Sequence, residues 1–454
     1  MASRGRGSRS RAALAAALLV LPGGGCFGFH AINPPIERVL PDQGYRPSVA
    51  SQHRDAGHVF VTLAFSGGGT RAAALAYGVL EELEATEVVV RGDRKRLLDE
   101  VDTVSGVSGG SFPAAYYGLF GDRIFTEFEQ AFLKRNVQRG LILRILRPRN
   151  LLRLFTPLTS RSELASQYYD EHVFDGATFA DLTAAHGPRI YINATDLSQG
   201  NRFTFSQGQF DLICSDLDAF PISRAVAASS AVPGLLSPIT LRNRAGSCGF
   251  EPPPWFGAAM ASRNADPRRY RAARAYADYF DAEARPYIHL VDGGISDNLG
   301  LRASIEITAA VGGAEKLREF FGVGIPDHLV LVVVNAETEP NPAIDLSASA
   351  PSLAVLMNSI SGAQIRRYNL ETLLLAHQGV HQAAAAMSRP GHTVEAHFVE
   401  VSFDAIADEQ ELRYFKRLPT SFSLSDEQVD RLREVGRRIL RESADFQELL
   451  RQLQ

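Results

Sequence analysis

Residues 59–65 are an unbroken run of β-branched, aromatic and small apolar positions with one threonine, and the run stops at Ser66-Gly67-Gly68-Gly69. Between 71 and 83 the period changes, with Leu75, Val79, Leu80 and Leu83 recurring at helical spacing. Strand, glycine loop and helix are the elements this predicts. The same unit follows, with a short strand at 101–104, a turn at 105–110 and a helix at 111–120. Two such units in succession predict a right-handed crossover and parallel pairing, which places both loops at the carboxyl edge of one sheet. Ligand sites form on that edge. Further strands are predicted at 189–195, 202–205, 287–291 and 328–335. The fold class is therefore α/β, with a mostly parallel central sheet flanked by helices. Near the end, Ser425 and Gln428 make a capping box, and Val429, Leu432, Val435, Ile439, Leu449, Leu450 and Leu453 predict a helical hairpin or one long helix.

The first residues follow another pattern. Arg4, Arg6, Arg9 and Arg11 precede an apolar run at 12–21, then Pro22, three glycines and Cys26. That is the layout of an export signal over 1–25, and the run falls short of the about 20 residues that span a bilayer. Its removal takes four arginines and no acid, so the formal charge goes from −4 to −8. Cys26 stands where bacterial lipoproteins carry their lipidated cysteine, although Gly23 occupies the position where a leucine is usual. Lipidation at Cys26 and plain secretion both stay open. An exported protein of the cell envelope, membrane-anchored or periplasmic, is expected either way. Cys214 and Cys248 are then the one internal pair available for a disulfide, the alternative being two buried thiols. Prolines at 34, 35, 41 and 47 mark 26–57 as an extended tether or wrapping segment. A chain of 454 residues, 45% hydrophobic and 22% charged, can bury a large core, and its acidic balance gives no case for nucleic acid.

Three loops carry candidate chemistry. Gly106-Val107-Ser108-Gly109-Gly110 lies between a strand and a helix, where a nucleophilic serine needs a tight turn with no side chains to block a carbonyl. Gly67-Gly68-Gly69-Thr70-Arg71 opens the first helix with unshielded amides, as an oxyanion hole requires. A phosphate cradle fits less well, because position 72 is alanine and no Gly-Lys-Ser/Thr follows. Val291-Asp292-Gly293-Gly294 ends an apolar strand with an acid that stands alone as an ordinary turn residue or, beside the other two loops, as a base.

Together these loops resemble the patatin-like phospholipase family. The resemblance extends to Asn193-Ala194-Thr195-Asp196 and to 227–238, covering roughly 58–305 in family order. It implies Ser108 as nucleophile in an elbow framed by Gly106 and Gly110, Asp292 as its base, and Gly67, Gly68, Gly69 and Arg71 as the oxyanion loop. It also implies a Ser-Asp dyad fold, hydrolysis of a lipid acyl ester, and no metal or other cofactor. This sequence has Ala72 where many members have glycine and Gly109 where plant members have alanine. The domain is expected at 58–415, with inserts near 121–185 and 242–285 and a helical segment at 416–454. The 242–285 insert either caps the site or extends the core. His289 reads as a core histidine on a buried strand. From 133 to 155 stand Lys134, Arg135, Arg139, Arg144, Arg147, Arg149 and Arg153 with no acid, among Leu, Ile and Phe. That stretch is either a membrane-surface patch or helices packed by their apolar side with solvated arginines. Two rival functions stay open: a Ser-His-Asp esterase using a late histidine such as His377, His381, His392 or His397, and a non-catalytic lipid-binding lipoprotein.

Overall fold

The computed structural model describes residues 33–46, 58–156, 159–322, 324–339, 342–346, 348–351 and 353–453. Cys26 and the expected signal at 1–25 lie outside the described residues. The strands are β1 (Val59–Phe65), β2 (Glu87–Val90), β3 (Asp93–Arg96), β4 (Val101–Val107), β5 (Arg189–Asp196), β6 (Arg202–Thr204), β7 (Ile239–Arg242), β8 (Tyr287–Asp292), β9 (His328–Asn335) and β10 (Glu395–Ser402). The helices used below are α1 (Gly69–Ala85), α2 (Ser111–Phe120), α3 (Val137–Leu146), α4 (Pro148–Leu154), α5 (Ile222–Ser229), α6 (Trp255–Ala261), α7 (Pro267–Ala277), α8 (Arg302–Val311), α9 (Ala314–Phe321), α10 (Leu353–Met387), α11 (Asp426–Glu442) and α12 (Ala444–Gln452).

One eight-stranded sheet runs in the order β10-β9-β1-β4-β5-β8-β7, with β6 paired to β5. The first five strands of that order are mutually parallel, as expected for a mostly parallel α/β sheet. At the other end β6 and β8 run antiparallel to β5, and β7 antiparallel to β8. The sequence reading missed β7, which is only four residues long, and β10, whose sequence EAHFVEVS mixes acids among its apolar positions.

Val61, Leu63 and Phe65 of β1, Ile190 and Ile192 of β5 and Val332 of β9 belong to the main core, together with the apolar residues of α1, α2 and α11. Contact between α1 and α11 is backbone to backbone: a Cβ added at Gly78 would lie 2.1 Å from the Arg433 carbonyl oxygen. Arg433 also pairs with Glu81 at 2.6 Å, and Arg441 with Glu82 at 3.1 Å. The predicted capping box of Ser425 and Gln428 starts α11, and α12 follows it as the second helix of a terminal pair. Residues 416–453 are thus built into the main core rather than appended to it.

The described part of the expected tether is a packed strap. Buried Asn33 donates to Ser215 Oγ and the Arg242 carbonyl, both at 2.8 Å, and Tyr45 Oη accepts from the Ile190 amide at 2.5 Å. Cys214 and Cys248 are joined in a disulfide, and the strap amides of Ile36 and Val39 donate to their two carbonyls at 3.1 and 3.3 Å. The 242–285 insert extends the core: Trp255 and Ala259 of α6, Ala272 and Ala273 of α7 and Ala310 and Val311 of α8 form a second apolar cluster.

Candidate active site

Ser108 directly follows β4 and opens a single turn of 3-10 helix that runs into α2. Its φ is +50°, in the left-handed region that side chains other than glycine avoid. The turn is held at both ends of the residue. Its amide donates to Ser229 Oγ at 2.8 Å, and its carbonyl accepts from Ser111 Oγ at 2.5 Å. The flanking glycines answer crowding. A Cβ at Gly106 would meet Ser111 Cα at 2.7 Å, and one at Gly110 would meet the Phe65 and Ser66 carbonyls at 2.6 Å. At Gly109 it would lie 2.1 Å from the Gly69 oxygen, so in this chain glycine and alanine are not interchangeable there.

Asp292 arrives from the opposite direction. Because β8 is antiparallel to β5, its last residue faces Ala194, one step beyond the Val107–Asn193 pair. The Asp292 amide donates to the Ala231 carbonyl and the Gly293 amide to the Ser229 carbonyl, both at 3.0 Å. Asp292 Oδ1 accepts the Gly294 amide at 2.8 Å, and Oδ2 accepts Ser108 Oγ at 2.8 Å. Burial pushes the carboxyl up from 3.8 to about 6, against the lowering effect of those two hydrogen bonds. Asp292 is therefore ionised at neutral pH yet basic enough to accept a proton near it.

The glycine loop lies against this pair, with Ser108 Cβ 3.4 Å from where a Gly67 Cβ would stand. Gly68 and Gly69 take φ of +141° and +62°, conformations that favour glycine. Their amides begin α1 and have no acceptor among the described residues, whereas Gly67 donates to the Asn298 carbonyl and Thr70 to the Ser421 carbonyl, each at 2.9 Å. Arg71 is placed differently from the expectation. Its buried guanidinium donates to the carbonyls of Ala336 at 3.0 Å and Leu418 at 2.7 Å and to Thr420 Oγ1 at 3.1 Å. Burial lowers it to about 10. With its donors taken up by the 336 and 418–420 segments, Arg71 braces the loop from beneath. Of the four loop residues expected, Gly68 and Gly69 carry the available amides.

No described histidine hydrogen-bonds Ser108 or Asp292. His289, expected in the core, is exposed on β8 and meets Thr240 Oγ1 at 2.9 Å. His328 and His397 face each other at 3.3 Å on β9 and β10, and His377 packs on His381 along α10. Among the described residues no group of three or more His, Cys, Asp or Glu is arranged to hold a metal.

The model of the patatin family, described as patatin-like phospholipase, matches residues 63–305, more than half of the chain. The chain belongs to the patatin-like phospholipase family. No curated protein matches it by sequence. Among solved structures it is similar to human GIVD cytosolic phospholipase A2, at 13% identity and a TM-score of 0.42, covering 90% of this chain and 62% of that one. The same human protein in complex with methyl γ-linolenyl fluorophosphonate and terbium chloride matches at 13% identity and a TM-score of 0.39, with the same coverage. The chain thus spans less than two thirds of the length of these structures. The patatin-like match starts within β1 and ends in α8, so β9, β10 and the terminal helices lie beyond it.

Two contributors to the patatin-like site were not legible. Ser229 bridges the elbow to β5, accepting from the Ser108 amide and donating to the Asn193 carbonyl at 2.6 Å. Asp297, 1% exposed, accepts the Leu301 and Arg302 amides at 3.1 and 2.8 Å and so starts α8 behind the site. Both are ordinary small polar residues in the sequence, without a spacing that marks them.

Proposed function

We propose that the protein is a serine acyl-ester hydrolase acting on lipid through a Ser108–Asp292 dyad. The observation that carries this reading is the 2.8 Å hydrogen bond from Ser108 Oγ to Asp292 Oδ2 at the top of a strained elbow. Asp292 takes the hydroxyl proton as Oγ adds to the acyl carbonyl. The amides of Gly68 and Gly69, with the positive end of α1, face the charge that develops on the carbonyl oxygen. Asp292 then gives its proton to the departing alcohol, and the acyl group stays on Ser108. Water, deprotonated by Asp292, releases the acid and restores the serine.

A lipid surface as the place of action is supported by apolar side chains left in solvent. Leu197 and Leu235 are exposed on the loops that follow β5 and α5, and Ile295 on the short helical turn after Asp292. On α4 Leu152 is 70% exposed and, just after it, Phe155 80%, beside Ile142, Leu143 and Leu146 of α3. Arg139, Arg149 and Arg153 lie on the same two helices, with Arg147 between them, and suit anionic headgroups. The pair sits near the site, since the Gln138 amide at the start of α3 donates to the Phe422 carbonyl at 3.1 Å, next to the Ser421 that contacts the glycine loop. Export of the chain, with 1–25 removed, is supported by the Cys214–Cys248 disulfide, which persists in oxidising compartments. Lipidation at Cys26 is the anchored form of the same proposal.

A fluorophosphonate probe with a lipid-like tail tests the dyad: it is expected to label the native chain once, at Ser108, and to leave Ser108→Ala unlabelled. A screen of phospholipid, lysophospholipid, triacylglycerol and short nitrophenyl esters names the substrate. Absence of labelling together with absence of hydrolysis would favour the non-catalytic lipoprotein.

A further inference from the structure

The two faces of the sheet are built differently. One is apolar and closed by α1, α2 and α11. The other presents Thr62, Thr103, Ser105, Tyr191 and Thr204, with Arg189 and Arg202, to a cavity of about 1050 Å³. Phe60 and Thr62 of β1, Tyr191 of β5 and Leu329 and Leu331 of β9 are only half-buried, although these strands lie inside the sheet. The helical layer formed by α8, α9 and α10 meets the sheet in two apolar clusters, one joining Ala376 to Ala64 and Val333 and one joining Ala384 and Met387 to Leu329, and the cavity opens beside them. The layer's own wall places Ile305, Leu317, Leu375, Val380 and Met387 on the space, interrupted by polar residues such as Gln378. The cavity spans the sheet from Arg189, the first residue of β5, to Ser105 and Gly300 behind the nucleophile's strand, and neither Ser108 nor Asp292 lines it.

Several charged groups on the cavity wall are already paired within the chain. Arg46 pairs with Asp211 at 2.6 Å and Arg202 with Glu306 at 3.0 Å. Arg189 is 9% exposed, and its guanidinium meets the Phe60 ring at 5.9 Å with no carboxylate or carbonyl bonded to it among the described residues. Two further wall residues, buried Gln209 and Trp255, keep Nε2 and Nε1 donors with no partner. Buried N–H groups without acceptors, as on Gln209 and Trp255, are costly unless a bound acceptor completes them. Apolar wall residues together with Arg189 and these two buried donors fit a long apolar chain that ends in an anionic head.

We propose that this cavity binds a long-chain fatty-acid carboxylate, its head on Arg189 and its chain along α8 and α10. The choice of occupant rests on the cavity alone, and it is also the kind of molecule the proposed hydrolysis releases. The test uses the full chain as Ser108→Ala, stripped of lipid, so that binding is read without turnover. Calorimetric titration with hexadecanoate is expected to saturate at one per chain. Methyl hexadecanoate and inorganic phosphate, which lack the charge and the chain respectively, are expected to bind at least about tenfold more weakly. Arg189→Gln is expected to weaken hexadecanoate by a similar factor. Ala383→Phe, which fills the space against α10, is expected to abolish binding with an unchanged thermal midpoint, and it decides the matter should Arg189→Gln fail to fold. Equal affinity for the methyl ester, an unchanged affinity in Arg189→Gln, or an affinity that responds to Gly68→Val and not to Ala383→Phe would overturn the proposal. The last of these outcomes would place the fatty acid at Ser108 instead. Failure of the dyad reading shows separately, as absence of fluorophosphonate labelling.

Discussion

Replacing Asp292 by asparagine separates the chemistry of the site from its cost in stability. The amide keeps the shape and still accepts from the Gly294 amide, now at 2.8 Å from Asp292 Oδ1, but it cannot take the Ser108 proton. Loss of a general base lowers turnover on the order of 100-fold or more. In the wild type the carboxyl titrates at about 6 rather than 3.8. At about pH 5 roughly a tenth of the molecules then carry the ionised base, whereas an unshifted aspartate would be roughly nine tenths ionised. The acid limb of kcat/KM should accordingly have its midpoint near 6. The same shift acts on stability with a definite sign. Between 3.8 and about 6 the folded state binds more protons than the unfolded one, so wild-type stability falls as pH rises through that window. Above it, the buried charge costs up to about 3 kcal/mol, which Asp292→Asn removes. The variant should therefore be nearly inactive yet more resistant to urea at about pH 8, with its advantage shrinking as pH falls to about 4. Near-native activity in the variant, or a variant less stable than wild type at about pH 8, would refute the reasoning.

The elbow makes a parallel case: Ser108→Gly should be inactive and, by relieving a φ of +50°, more stable by about 1 kcal/mol in thermal unfolding. Gly68→Val, at a φ of +141°, should cut kcat on the order of 100-fold or more by displacing the loop amides while circular dichroism shows the fold retained. Changing exposed Leu152 and Phe155 together to glutamate should reduce sedimentation with anionic vesicles several-fold and leave hydrolysis of a short soluble ester unchanged. The native chain should resist thiol alkylation at Cys214 and Cys248, and reduction should cost about 4 kcal/mol for a bridge closing a separation of 34 residues.

The local parts of this molecule are set by short stretches of sequence. The apolar run at 59–65 is strand β1, and the helical spacing of Leu75, Val79, Leu80 and Leu83 falls within α1. The glycine loop and the Gly-x-Ser-x-Gly turn sit at the sheet edge where two parallel strand–helix units place them, because glycine, period and capping act over a few residues. Tertiary structure decided what those parts do to one another. That Asp292 meets Ser108, 184 positions away, depends on β8 running antiparallel to β5, which no local pattern encodes. Arg71 looks like a loop donor in sequence, but carbonyls from residues 336 and 418 draw its guanidinium away. Gly109 looks replaceable until the Gly69 backbone is brought against it. His289 has the apolar neighbours of a core residue, yet only β7 beside it shows that its side chain points to solvent. The same holds for the leucines of α3 and α4, apolar by sequence, which end in water because nothing among the described residues covers them.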